Sequence, residues 1–72
     1  EELVIEYILP YSAKVTILLF NGFGEKTNVF YEGLSNEGFN QHKFDIKHIN
    51  SGMYFYRIEY EGICKTYQVY IK

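Results

Sequence analysis

The sequence of 72 residues contains no tryptophan, one proline, one cysteine and a net charge of only −2. A single cysteine, Cys64, cannot close an internal disulfide, and it stands at no familiar zinc spacing from His42 and His48. Seven Lys and Arg are interspersed with nine Asp and Glu, so no basic stripe exists to follow a phosphate backbone, and nucleic acid is not an expected partner. No run approaches the roughly 20 apolar residues of a membrane-spanning helix, so membrane insertion is not expected either. The opening Glu1-Glu2-Leu3-Val4-Ile5-Glu6 lacks the basic start and cleavage site of a signal peptide. The chain begins inside a strand-like pattern without an initiator methionine, which reads as one domain, residues 1–72, excised from a longer protein.

What the sequence does have is apolar and aromatic bulk. Hydrophobic residues make up 47% and aromatics 19%, from eight Tyr and six Phe. A domain this small buries only about 60% of the surface its unfolded chain exposes, so without a disulfide or metal its stability has to come from large side chains. Each aromatic covers on the order of 150–250 Å².

The pattern is that of short strands. Runs over Leu3–Ile8, Lys14–Phe20, about Lys26 to Glu32, Phe39–Ile46, Met53–Tyr60 and Ile63–Ile71 are separated by Pro10, by Asn21-Gly22-Phe23-Gly24, by a polar loop from Gly33 to Gly38, and by His48-Ile49-Asn50-Ser51-Gly52. No helix of credible length competes. An all-β antiparallel sandwich of six to seven short strands, of the immunoglobulin-like kind, is the expected fold.

The last two runs allow a sharper statement. Glu61-Gly62 between them reads as a two-residue hairpin turn, with Gly62 in the left-handed conformation. That turn fixes the register as Tyr60 opposite Ile63, Ile58 opposite Lys65, Tyr56 opposite Tyr67 and Tyr54 opposite Val69, and directly opposite residues share a face. Tyr54, Tyr56, Ile58, Tyr60, Ile63, Tyr67, Val69 and Ile71 then form the expected core face, broken only by Lys65. The other face gathers Met53, Phe55 and Tyr70 at the end away from the turn, and in the second strand Leu18 and Phe20 also point away from the core. Phe20, Phe55 and Tyr70 are therefore candidate partner-binding residues, weighed against the ordinary occurrence of apolar atoms on surfaces.

At this point the residues resemble a known group, the C-terminal sorting domains of type IX secretion cargo, together with the similar immunoglobulin-like domain of flagellar hook-capping proteins. The resemblance spans nearly the whole chain. Tyr7-Ile8-Leu9-Pro10 matches the family's Tyr-x-Leu-Pro. Val15, Ile17, Leu19, Phe20, Asn21 and Gly24 match its alternating strand followed by aromatic, Asn or Asp, and Gly. Gly38 and Phe44-Asp45 match a later Gly and aromatic-Asp pair, and Ser51-Gly52-Met53-Tyr54-Phe55-Tyr56-Arg57-Ile58 matches its most distinctive stretch. Thr27 stands where the family commonly has an aliphatic residue, and the Asn-Pro motif that usually precedes the first strand is absent.

The resemblance implies a non-catalytic module, displayed on a cargo protein, bound by an outer-membrane export machine and often cleaved afterwards. Its implied location is the cell surface or the medium, reached through the periplasm. The alternative it leaves open is an accessory or protein-interaction module of a surface or hook-capping-type protein. Since the last strand is associated with recognition in this family, the resemblance adds Lys65 and Lys72 as a basic recognition element.

Chemistry has little foothold. His42, Asp45 and His48 read as solvated polar positions, Cys64 as a small filler on the polar side of the hairpin, and Gly22-Phe23-Gly24 is not a phosphate loop because no helix follows it. Neither catalysis nor a cofactor or metal is expected. Lys65 also has a purely structural reading, with its stem packed at the sandwich rim and its ammonium in water. Tyr54 and Tyr56 read as buried, their hydroxyls requiring partners such as loop carbonyls. The partners expected are proteins, including a second copy through open strand edges or strand exchange.

Overall fold

A computed structural model describes residues 1–72. Six strands occur in chain order: β1 (Glu2–Leu9), β2 (Ala13–Asn21), β3 (Lys26–Ser35), β4 (Gly38–Asp45), β5 (Gly52–Tyr60) and β6 (Ile63–Ile71). They form two antiparallel sheets, a small one of β1 and β4 and a large one in the order β3-β2-β5-β6. The chain crosses between sheets at Pro10–Ser12, at Asn36–Glu37 and over residues 46–51. The result is an all-β sandwich compatible with the immunoglobulin-like architecture, as the strand spacing leads one to expect.

The hairpin register is the one that Glu61-Gly62 dictates, with Tyr60 opposite Ile63 and Tyr54 opposite Val69. Both turn residues have positive φ, 49° at Glu61 and 77° at Gly62, which gives the turn the twist that matches its flanking strands. The β2–β3 hairpin is closed differently. Gly24, at φ 84°, carries its positive φ, while the Asn21 side chain caps the turn by accepting from the amides of Phe23 (2.9 Å) and Glu25 (3.0 Å).

β3 runs farther than the sequence suggests, through Gly33 to Ser35 rather than ending at Glu32. A register shift between Ile17 and Leu18 marks a bulge opposite them, and Phe30 and Tyr31 both pack against the core. The Tyr31 ring folds over Gly33, where an added Cβ would lie 3.2 Å from its hydroxyl, and that hydroxyl donates to Leu34 O at 2.8 Å. The aromatic thus fills the space a side chain at Gly33 would occupy and keeps the strand going.

The core comprises Ile5 and Leu9 of β1 against Val15, Ile17 and Ile58 of the large sheet, with a second cluster of Leu19, Ile46 and Ile71. β4 sits over β3, as the stacked pair Phe30–Phe44 (4.6 Å) and the contact of Tyr31 with His42 (4.4 Å) show. One expectation needs correcting. Of the hairpin face taken as core, only Ile58 and Ile71 are buried, while Tyr67 is 44% and Ile63 41% exposed. Two strands cannot cover four: β1 and β4 span β3, β2 and β5, and β6 overhangs.

Candidate functional site

Three surfaces organise the molecule. The first is the outer face of the large sheet. Phe20, Phe55 and Gln68 lie in one cross-strand row, with Met53 and Tyr70 in the next. The Arg57 guanidinium lies over the Phe20 ring, 4.6 Å from its centroid, and Arg57 Nε approaches Glu59 Oε2 at 2.7 Å, an ion pair off the axis of a hydrogen bond. Phe20 and Phe55 are both half-covered, whereas Tyr70 is 61% exposed and Met53 receives only the Gln68 amide at 3.0 Å. The fold brings the three candidate aromatics onto one face. Lys72 follows Ile71 at the same end of β6 as Tyr70, but Lys65 is on the opposite face.

The second surface is the uncovered inner side of the β5–β6 hairpin. Glu6, Tyr7 and Ile8 of β1, Phe39 of β4, Ile58, Tyr60, Lys65 and Tyr67 line an open groove of about 370 Å³. Sequence reasoning placed Tyr60, Tyr67 and Lys65 on one face but did not find the groove, because its wall is the edge of a strand from the other sheet.

The third is an internal polar column. Tyr7 Oη lies 2.8 Å from both Ser35 Oγ and His42 Nε2, and His42 stacks between Tyr7 and Phe44. His42 is therefore an inward, half-buried residue and not a solvated one. Burial holds its pKa below the ordinary imidazole value, so the neutral ring is the form the fold accepts. Burial likewise raises the Tyr7 hydroxyl, against a lowering by the Ser35 bond, and raises Tyr56, beside Tyr67. The signal was present in the sequence: His42 and Phe44 are two apart on one strand and must share a side.

No three His, Cys, Asp or Glu side chains converge on a point. Asp45 instead accepts from the Lys47 amide at 3.1 Å, and Cys64 is exposed near the hairpin turn. Of the two tyrosines expected to need loop carbonyls, Tyr54 donates to Asn50 O at 2.8 Å, tying the strand to the loop that Gly52, at φ 151°, begins to straighten. Tyr56 stacks on Tyr67 instead. Thr27, the departure from the aliphatic pattern, donates its hydroxyl to Leu19 O at 3.3 Å across the β2–β3 hairpin.

A small sandwich whose distinctive residues build turns, ties and exposed faces belongs to the class of display and recognition modules. More particularly, the chain belongs to the family of secretion system C-terminal sorting domains, whose family model matches residues 1–72. Such domains are type IX secretion signals, which engage the secretion machinery and mark the cargo to which they are attached for the cell surface or secretion. No curated protein and no solved structure matches the chain.

Membership makes sense of the motif residues. Asn21 and Gly24 form a capped turn, Ser51-Gly52-x-Tyr54 a strand entry tied by a hydroxyl, and Phe44-Asp45 an interior aromatic followed by a turn carboxylate. The motifs specify the shape that is presented.

Proposed function

We propose that this module works without catalysis, by being bound, and that the export machinery reads the outer face of the large sheet through Phe20, Phe55 and Tyr70, with Lys72 beside them at the end of β6. The observation that carries this reading is the exposure of Tyr70 in the row next to the half-covered Phe20 and Phe55. The module is carried as a single domain by a longer cargo and is cut from it after export. Its partners are proteins, not nucleic acid or the lipid interior, consistent with a net charge of −2 and scattered cations. Besides β1, the sheets end in free edges at β3, β4 and β6, which leave room for pairing with a second copy, and solution mass at micromolar concentration tests this.

The direct test fuses the module to a reporter in a bacterium with a type IX system and compares Tyr70→Ser and Lys72→Glu with the parent. Both residues are exposed, so thermal unfolding of the purified module should be unchanged while export falls by roughly an order of magnitude, the size expected when an aromatic binding anchor is lost. Full export of both variants would remove the outer face from the reading.

A further inference from the structure

The groove beside β1 has the form of a missing strand. β1 pairs only with β4, in a register whose members sum as Ile5 with His42 and Tyr7 with Asn40. The amide of Ile46 donates to Glu1 O at 3.1 Å, which makes that flanking pair hydrogen-bonded. Because bonded and non-bonded pairs alternate along an antiparallel ladder, Leu3, Ile5, Tyr7 and Leu9 bond to β4. Val4, Glu6 and Ile8 therefore turn their amides and carbonyls to the open side. Beneath that side lie the half-buried Tyr60 and the exposed Ile63, Lys65 and Tyr67, the floor that a third strand of the small sheet would cover.

Charge and shape limit what fits. Lys65 forms no ion pair, whereas the Glu6 carboxylate is already engaged by the Gln41 amide at 2.8 Å. The floor thus presents one free cation among aromatic and aliphatic surface. A second copy pairing through its own β1 edge would bring its overhanging β6 into the same space as this one. A lone extended segment meets no such obstacle.

We propose that this groove accepts an extended peptide segment of a partner protein, added as a strand to the free edge of β1, with apolar side chains at alternate positions covering Tyr60 and Tyr67 and a carboxylate between them on Lys65. The backbone of Val4, Glu6 and Ile8 supplies the ladder, and Lys65 selects the acidic residue. This surface is opposite the aromatic face assigned above, and its occupancy does not rest on that assignment.

The test is a titration of the isotopically labelled domain, followed by NMR, with the peptide acetyl-Lys-Val-Thr-Glu-Thr-Val-Lys-amide and with the same peptide carrying Lys in place of Glu. The acidic peptide should shift the amides of Val4, Glu6 and Ile8, slow their exchange with solvent, and move the ring signals of Tyr60 and Tyr67. The lysine peptide should bind roughly tenfold more weakly, and Lys65→Glu should reverse the preference. Glu6→Pro removes one outward backbone donor and no backbone β1–β4 bond, losing besides it only the exposed side-chain bond to Gln41, and should weaken both peptides while the spectrum of the free domain stays folded. No response at these amides at millimolar peptide, shifts confined to the Phe20, Phe55 and Tyr70 face, or equal binding of the two peptides would each overturn the proposal.

Discussion

The two halves of one sheet face differ in what lies over them. Over β2 and the middle of β5, the side chains of β1 seal Val15, Ile17 and Ile58 from water, while over β6 the same inward-pointing alternation leaves Ile63, Lys65 and Tyr67 open. Identical strand patterning therefore yields core in one place and surface in another, and the deciding variable is the number of strands in the facing layer. For a domain that works by being recognised, the uncovered half is material for binding, and the covered half is what keeps it folded.

The contrast predicts a graded set of effects. Ile17→Ala, at a fully buried site, should lower unfolding stability by about 3 kcal/mol, whereas Ile63→Ala should lower it by less than about 1 kcal/mol. Urea denaturation measures both, and equal losses would erase the distinction. Tyr7→Phe strips the internal column of the hydroxyl shared by Ser35 and His42 and should cost about 1–2 kcal/mol, while Tyr67→Phe in the groove should stay within about 0.5 kcal/mol of the parent.

Smaller effects sharpen the same comparison. Only Ile71, at the far end of β6, enters the core, so the half of β6 next to the turn is held by that turn and by β5, and Gly62→Ala, forced into φ 77°, should cost about 1 kcal/mol. Most of that loss should be seen as faster amide exchange in β6, with β1 unaffected. The least effect is expected from pH. His42 is held neutral in the fold, so the unfolded chain binds the proton more readily. Stability is then full above the ordinary imidazole value of 6.5 and declines as pH falls below it towards the lowered folded value. Stability curves at pH 7 and pH 5 should differ for the parent, and the part of that difference due to His42 should disappear in His42→Phe.

Much of this was legible in the sequence because it is local. The β5–β6 register follows from two turn residues, and strand identity follows from alternation bounded by Pro10, Gly24 and Gly52. The gathering of Phe20, Phe55 and Tyr70 on one face follows from the hairpin register together with the parity of β2. What was not legible is non-local. Whether Tyr67 is covered depends on how many strands stand opposite, which no residue in β6 encodes. The extension of β3 through Gly33 depends on a bulge that turns Tyr31 back over it. The polarity of His42 points to solvent, and its place two residues from Phe44 on β4 overrides that.

β1 is an open edge over a floor that no facing strand covers, and amide hydrogen exchange of the free domain at micromolar concentration tests this most directly. Alternation is the predicted result: slow exchange at Leu3, Ile5 and Tyr7, whose amides bond to β4, and fast exchange at Val4, Glu6 and Ile8. Slow exchange along all of β1 would mean that the edge is already occupied, and would contradict the account.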